Sequence, residues 1–250
     1  MSLNHNNRIN KLLKDKQLIV VTKMKVASLF SGGKDSTFSI YKMQQADHEV
    51  VCLISIVPCS EDSMIFHFPN INQNVLCSQA MNIPIHFYPS VSSRLEDEIK
   101  VLENTFGDFV DKYGVEGIVH GGISSKFQKD LFEKSCSKYD LKCFSPVWEM
   151  EPMAYMQNLV QDFTVVIVSV SAMGLDSSWL GKILNQYNLD KLHELSLQYG
   201  FNLNFEGGEG ETFVTDCPLY KKKIEIKNWV IHWFGDRGIF EITEALLNRK

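Results

Sequence analysis

Between Lys25 and Phe144, short β-rich runs alternate with stretches whose apolar residues recur every three to four positions. The runs Lys25–Phe30 (KVASLF), Val50–Val57, Pro84–Tyr88, Gly117–His120 and Leu141–Phe144 predict strands. Thr37–Ala46, Asn72–Met81, Ser93–Tyr113 and Ser124–Tyr139 predict helices, the third ended by Gly114, a residue suited to the left-handed conformation at a helix C-terminus. This alternation predicts an α/β fold: a doubly wound, mostly parallel sheet with helices on both faces. Pro146 and Trp148 break the rhythm, which places a boundary near Ser145. A first domain, 24–145, is then followed by a smaller C-terminal α/β domain, 146–250. In the second, Pro152 suits the first turn of a helix with Met153, Met156 and Val160 along one face. Phe163–Val170 is the strongest strand pattern of the chain, and after the loop Ala172–Ser178 helical stretches run to about Gly200. Lys222–Glu241 predicts β structure turning as a hairpin at Gly235–Gly238, and then a short terminal helix. Residues 1–23 are expected to be a loosely held or disordered extension, since Met24 stands directly before the first convincing strand.

Composition adds exclusions. The 250 residues are 44% apolar and 22% charged, ordinary for a globular protein with a sizeable core. No window approaches the ~18 consecutive apolar residues of a membrane span, and Leu18–Val21 is too short for an export signal. A cytoplasmic protein is therefore expected, with no membrane partner. The six cysteines include no CxxC pair, which excludes zinc-ribbon and thioredoxin-like readings. Reduced thiols are expected, with Cys52 and Cys143 as small buried hydrophobes. A net charge of −5 speaks against a protein that grips long nucleic acid.

Chemistry concentrates between the first strand and the first helix, at Ser31-Gly32-Gly33-Lys34-Asp35-Ser36. A turn leaving a parallel strand delivers the chain to a helix N-terminus, where unpaired amides and the macrodipole favour an anion. Gly32 and Gly33 let a phosphate approach the backbone, Lys34 adds a cation, and Ser31 and Ser36 add hydroxyls. A carboxylate at Asp35 beside phosphate implies Mg²⁺, or else a structural hydrogen bond that shapes the turn. The spacing is not that of a Walker A loop. SGGKDS instead resembles the PP-loop of the ATP pyrophosphatases, which implies ATP and Mg²⁺ as cofactors and cleavage to AMP and pyrophosphate. The bland alternative is a glycine turn before a helix with no ligand.

Four further stretches narrow the resemblance: Gly121-Gly122-Ile123-Ser124-Ser125-Lys126-Phe127-Gln128, Ser169–Asp176, Trp179–Lys182, and Phe205-Glu206-Gly207-Gly208-Glu209-Gly210-Glu211-Thr212-Phe213 followed by Asp216–Tyr220. In order and spacing, from Met24 to about Lys227, the chain resembles the diphthine–ammonia ligases (diphthamide synthetases), in particular short archaeal-type members. The resemblance implies an AMP-forming amide ligase. It would activate the carboxylate of diphthine on elongation factor 2 as an acyl adenylate and amidate it with ammonium. It implies Lys34, Asp35, Glu206 and Glu209 as catalytic groups, and Ser31–Ser36 with Gly121 and Gly122 as the ATP site. Lys126, Gln128, Glu206, Gly207, Gly208, Glu209, Glu211 and Thr212 would contact substrate. Glu206, Glu209 and Glu211 suit a trimethylammonium group, ammonium or Mg²⁺, and the sequence leaves those jobs unassigned; a solvated acidic turn is the alternative. Gly121–Gln128 stands at the carboxyl edge of the sheet, where open α/β folds bind ligands, or is simply a helix start capped by Ser124. His120 reads as structural and Lys221–Lys223 as solvated. Phe66, Phe127 and Gly210 depart from the family pattern, with Met64 and His67 still candidates to line the substrate pocket. Two other readings compete: a tRNA-modifying PP-loop enzyme that adenylates a base, and a nucleotide-sensing module without turnover. Oligomeric state stays open, a homo-oligomer included.

Overall fold

The computed structural model describes residues 22–59, 70–92 and 94–250. Most of the expected N-terminal extension, and Ser60–His67 with Met64, Phe66 and His67, lie outside them. The first half builds β1 (Lys25–Leu29), α1 (Lys34–Gln45), β2 (Glu49–Val57), a 3-10 turn (Ile71–Gln73), α2 (Asn74–Met81), β3 (Ile85–Pro89), α3 (Leu95–Tyr113), β4 (Gly117–Val119), α4 (Lys126–Ser137) and β5 (Lys142–Phe144). Its strands pair in parallel in the order β3-β2-β1-β4-β5. Alternation along each strand sends side chains to opposite faces. Val26 and Leu53 pack with Phe38, Ile40 and Met43 of α1 and Cys77 and Ala80 of α2. Ala27, Cys52, Ile54 and Ile56 pack with Leu102, Phe106 and Phe109 of α3 and Phe132 and Cys136 of α4. The sheet is therefore doubly wound, as the alternation predicts. Gly114 closes α3 at φ 60°, and Ser125, not Ser124, caps α4 by accepting from Gln128 N at 3.4 Å.

The second half contributes α5 (Pro152–Asp162), β6 (Thr164–Val170), β7 (Ile183–Leu184), α6 (Gln186–Tyr199), β8 (Gly210–Asp216), β9 (Lys222–Trp233) and β10 (Gly238–Arg249). Its sheet is antiparallel. β8 lies along one edge of β6, while β7 and then β10 share the other edge. The Gly235–Gly238 hairpin forms, with Phe234 N donating to Arg237 O at 2.8 Å. The predicted terminal helix does not: 238–249 is strand throughout. The run Glu244-Ala245-Leu246-Leu247 has helical propensity, but pairing with β9 overrides it, placing Ala245 opposite Ile226 and Leu247 opposite Ile224. The acidic loop is also shorter than expected, since Gly210–Thr212 already belong to β8. One core joins the halves. α1 lies between the parallel sheet and β8, and α2 between that sheet and β9 and β10, with Phe38 against Tyr155 and Phe163. Among the described residues no helix is long and apolar enough to cross a membrane.

Candidate active site

β1 ends at Leu29, and the chain turns through Ser31, Gly32 and Gly33 into α1. Gly32 sits at φ 80°, and a Cβ there would lie 2.2 Å from Asn74 Oδ1. That position therefore tolerates only glycine, for backbone conformation and for space. Asn74 is fully buried and donates to Ser55 Oγ at 3.1 Å, while Ser55 Oγ donates to Phe30 O at 2.6 Å, so the loop rests on a polar floor. The two loop serines meet, Ser31 Oγ and Ser36 Oγ lying 3.2 Å apart. Strand β8 is stitched to the loop from the other side: Val214 N donates to Gly32 O at 3.0 Å and Lys34 N to Thr212 Oγ1 at 3.1 Å.

Lys34 is nearly inaccessible. Its ammonium donates to Asp35 Oδ2 at 2.8 Å and to the carbonyl of Asn204 at 2.6 Å. A buried ammonium needs such partners, and the carboxylate offsets its charge. Asp35 Oδ1 accepts from the hydroxyl of Tyr155 on α5 at 2.6 Å. Tyr155 is wholly buried, and burial together with the Asp35 carboxylate pushes its phenol well above the ordinary range, so it stays a donor. Both oxygens of Asp35 thus have protein partners. Among the described residues no group of three His, Cys, Asp or Glu side chains is placed to hold a metal.

The acidic loop reaches the same cleft. Glu206 Oε1 accepts from the amides of Ile123, Ser124 and Ser125 at 3.0, 2.9 and 3.2 Å, a nest at the start of α4. It thereby ties the second half to the carboxyl edge of the parallel sheet. Glu209 turns inward on its own loop, taking Asn202 N and Nδ2 on Oε1 at 2.9 and 2.7 Å and Gly207 N on Oε2 at 2.7 Å. The cleft is lined by Ser31, Gly33, Lys34, Asp35, Ser36, Gly121, Gly122, Gln128, Glu206, Gly208, Glu211 and Thr212, with Leu29, Ile54, Ile56 and Phe132 as an apolar wall. Of the sequence candidates, Gly32, Lys126, Gly207 and Glu209 do not line it. Lys126 points to solvent and pairs with Asp130 at 2.7 Å.

Two segments far apart in sequence, SGGKDS and FEGGEGETF, therefore meet in one cleft. Residues 24–143 match the family model of the diphthamide synthase N-terminal domain, and residues 151–247 that of the diphthamide synthase C-terminal domain. The chain belongs to the diphthamide synthase family. A protein named diphthine–ammonia ligase from Danio rerio is 31% identical over 221 residues, covering 81% of this chain and 86% of that one. One of the same name from Homo sapiens is 33% identical, covering 80% and 82%. Among solved structures, one described as a predicted subunit of tRNA methyltransferase from Methanocaldococcus jannaschii overlaps 78% of this chain and 98% of its own at 12% identity, with a TM-score of 0.45.

Within this diphthamide synthase frame, several contacts escape sequence reading. Tyr155, Asn204 and Asn74 hold the loop, and none lies in a motif. The one signal was that a tyrosine on a buried helix face needs a partner for its hydroxyl. Gly121 serves close packing: a Cβ there would lie 2.7 Å from Ser36 N and 2.8 Å from Asp35 C. Gly122 N donates to His120 Nδ1 at 3.1 Å, which leaves the His120 proton on Nε2. His120 is buried in the cleft wall, and its Nε2 has no partner among the described residues. All six cysteines are free, and Cys52 is buried as expected. Cys143 is only half-buried and differs in kind: the Cys136 thiol and nearby His120 hold it below the usual thiol range, while Cys136 is pushed up.

Proposed function

We propose that this chain is the ATP-dependent ligase that amidates diphthine on elongation factor 2 with ammonium, giving diphthamide, AMP and pyrophosphate. The observation that carries the reading is the shared cleft, in which an anion-binding loop and an acidic loop face each other across a few hydrogen bonds. A carboxylate is a poor electrophile, and ATP supplies AMP as its leaving group. The name of the relatives, diphthine–ammonia ligase, supports this acceptor over a tRNA base.

In this reading the start of α1 receives the phosphates. Lys34 N–H is used by Thr212, so the amides of Asp35 and Ser36 and the hydroxyls of Ser31 and Ser36 do the binding. Lys34 and Tyr155 fix Asp35, and Asp35 would hold Mg²⁺, which would offset charge on the phosphates. A carboxylate oxygen with one protein partner keeps a second lone pair, so the donor set fits a hard cation. The apolar wall of Leu29, Ile54, Ile56 and Phe132 takes the base. Asp35, Glu206 and Glu211 make one side of the cleft acidic, which suits a cationic trimethylammonium side chain and ammonium. Glu209 shapes the loop and leaves catalysis to its neighbours. Elongation factor 2 as substrate places the work in the cytoplasm.

The test supplies the protein with Mg·ATP, ammonium and elongation factor 2 bearing diphthine. AMP with pyrophosphate is expected, and a factor whose mass changes by replacement of OH with NH₂. ADP as product overturns the mechanism, and AMP release with tRNA but not with the factor overturns the substrate.

A further inference from the structure

The outer strand of the second sheet ends in an unusual surface. Trp229, Val230, Ile231, Trp233 and Phe234, five large apolar residues within six positions, expose 51, 44, 44, 38 and 59% of their area. The first four lie on β9 and Phe234 directly follows it; β9 is the last strand in the order β7-β6-β10-β9, and no described strand pairs its outer edge. Long apolar edge strands are templates for further pairing, and soluble proteins otherwise blunt them with charge, proline or a covering element.

The ladder fixes which backbone groups face outward. Phe234 and Arg237 share a hydrogen bond, so alternation places Trp233, Ile231 and Trp229 in non-hydrogen-bonded positions opposite Gly238, Phe240 and Ile242. The far edge of β10 agrees. Phe240 O and the N–H and C=O of Ile242 point away from β9, toward Asn70 and Gln73, at 2.7 to 3.0 Å. On β9 the N–H and C=O groups of Trp229, Ile231 and Trp233 are therefore directed at the open edge.

We propose that β9 pairs antiparallel with β9 of a second copy of this chain, about a two-fold axis at Ile231, joining the two antiparallel sheets into one. In that register Trp229 lies opposite Trp233 of the second copy and Val230 opposite its His232. The paired stretch runs from Asn228, opposite Phe234 of the second copy, and is bounded by the turn at Gly235; no Asp, Glu, Lys or Arg falls within it. Cross-strand aromatic pairs stabilise such a ladder. With full side-chain areas of about 150–250 Å², the five exposures amount to about 500 Å² per copy. That is at most about 1000 Å² of side chain for the pair, with the edge backbone added to it, which stands at the lower threshold for a specific interface. The symmetry is isologous, so pairing closes at two copies and does not run on into a fibre.

The experiment measures the mass of the full chain by light scattering and sedimentation at micromolar concentration. Hydrogen exchange at Trp229, Ile231 and Trp233 is followed on dilution. A dimer is expected, with those three amides losing protection as it dissociates. Ile231→Pro removes an N–H that β10 does not use, a change edge strands tolerate, and Trp233→Lys places a charge in the seam. Both are expected to halve the mass while circular dichroism stays unchanged. A wild-type chain that remains a monomer overturns the proposal whether or not the variants fold, as does a dimer that keeps its mass in both variants. A monomer whose variants lose only the use of elongation factor 2 gives the surface to the protein substrate, and also overturns it. Mass and hydrogen exchange decide the pairing without reference to ligase activity, so this inference and the functional reading stand or fall separately.

Discussion

Removing the single hydroxyl of Tyr155 isolates the contact that fixes Asp35. In Tyr155→Phe the ring keeps its edge-on packing against Phe38, with centroids 5.3 Å apart, and the core volume barely changes. What is lost is one hydrogen bond of 2.6 Å to a carboxylate. Bonds to charged groups contribute about 1.5–3 kcal/mol. Asp35 keeps Lys34, and its side chain is 28% exposed, so water can partly replace the hydroxyl and the lower end applies. At about 1.4 kcal/mol per decade, kcat/KM for ATP should fall about tenfold. The assay is pyrophosphate release at fixed elongation factor 2 and ammonium, read beside the melting temperature, which should drop by only a few degrees. Because burial keeps the phenol protonated, the ratio of wild type to variant should stay flat from neutral to mildly alkaline pH. An unchanged kcat/KM would falsify the idea that Tyr155 positions Asp35 for catalysis.

Glu206 offers a graded comparison. Glu206→Ala leaves three amides without their acceptor and should lower kcat/KM for the protein substrate by about a hundredfold or more. Glu206→Gln keeps an acceptor oxygen and should lose about tenfold, on the scale of one charge-assisted bond; equal effects would rule out the nest as the reason. His86 predicts a pH effect on stability. Burial and Lys112 lower its pKa below 6.5, and its ring nitrogen meets Tyr113 Oη at 2.7 Å. As pH falls below 6.5 the unfolded chain takes up a proton that the folded chain resists, so stability should decline and level off once the folded imidazole is also protonated. Urea titrations of wild type and His86→Gln across that range check it, and parallel curves would refute it.

Sequence reading reached the parallel sheet because each strand and helix there is announced locally, by a run of Val and Ile or by apolar spacing closed with Gly114. It reached the two ends of the cleft for a similar reason, since glycines, serines and acids at fixed intervals are local patterns. It did not reach β10, because Glu244–Leu247 alone favours a helix and only Ile224 and Ile226, some twenty residues earlier, decide otherwise. Nor did it reach Tyr155 or Asn204. Their parts are defined by what lies opposite them in space, and no spacing encodes that. Glu209 is a further case: its motif announces a carboxylate, but not that it accepts from Asn202 and Gly207 on the turn that presents Glu206.

The seam between the loop at Ser31–Ser36 and strand β8 also bears on how the protein comes into being. Lys34 takes one partner 178 positions downstream and another 170 positions downstream. While the chain is being synthesised, the glycine loop and its parallel sheet emerge early, but the lysine has no buried acceptor and the loop no second wall until Asn204 and Thr212 have left the ribosome. Nucleotide affinity is then a property of the finished polypeptide. An isolated N-terminal half would display the motif in full and still hold ATP poorly.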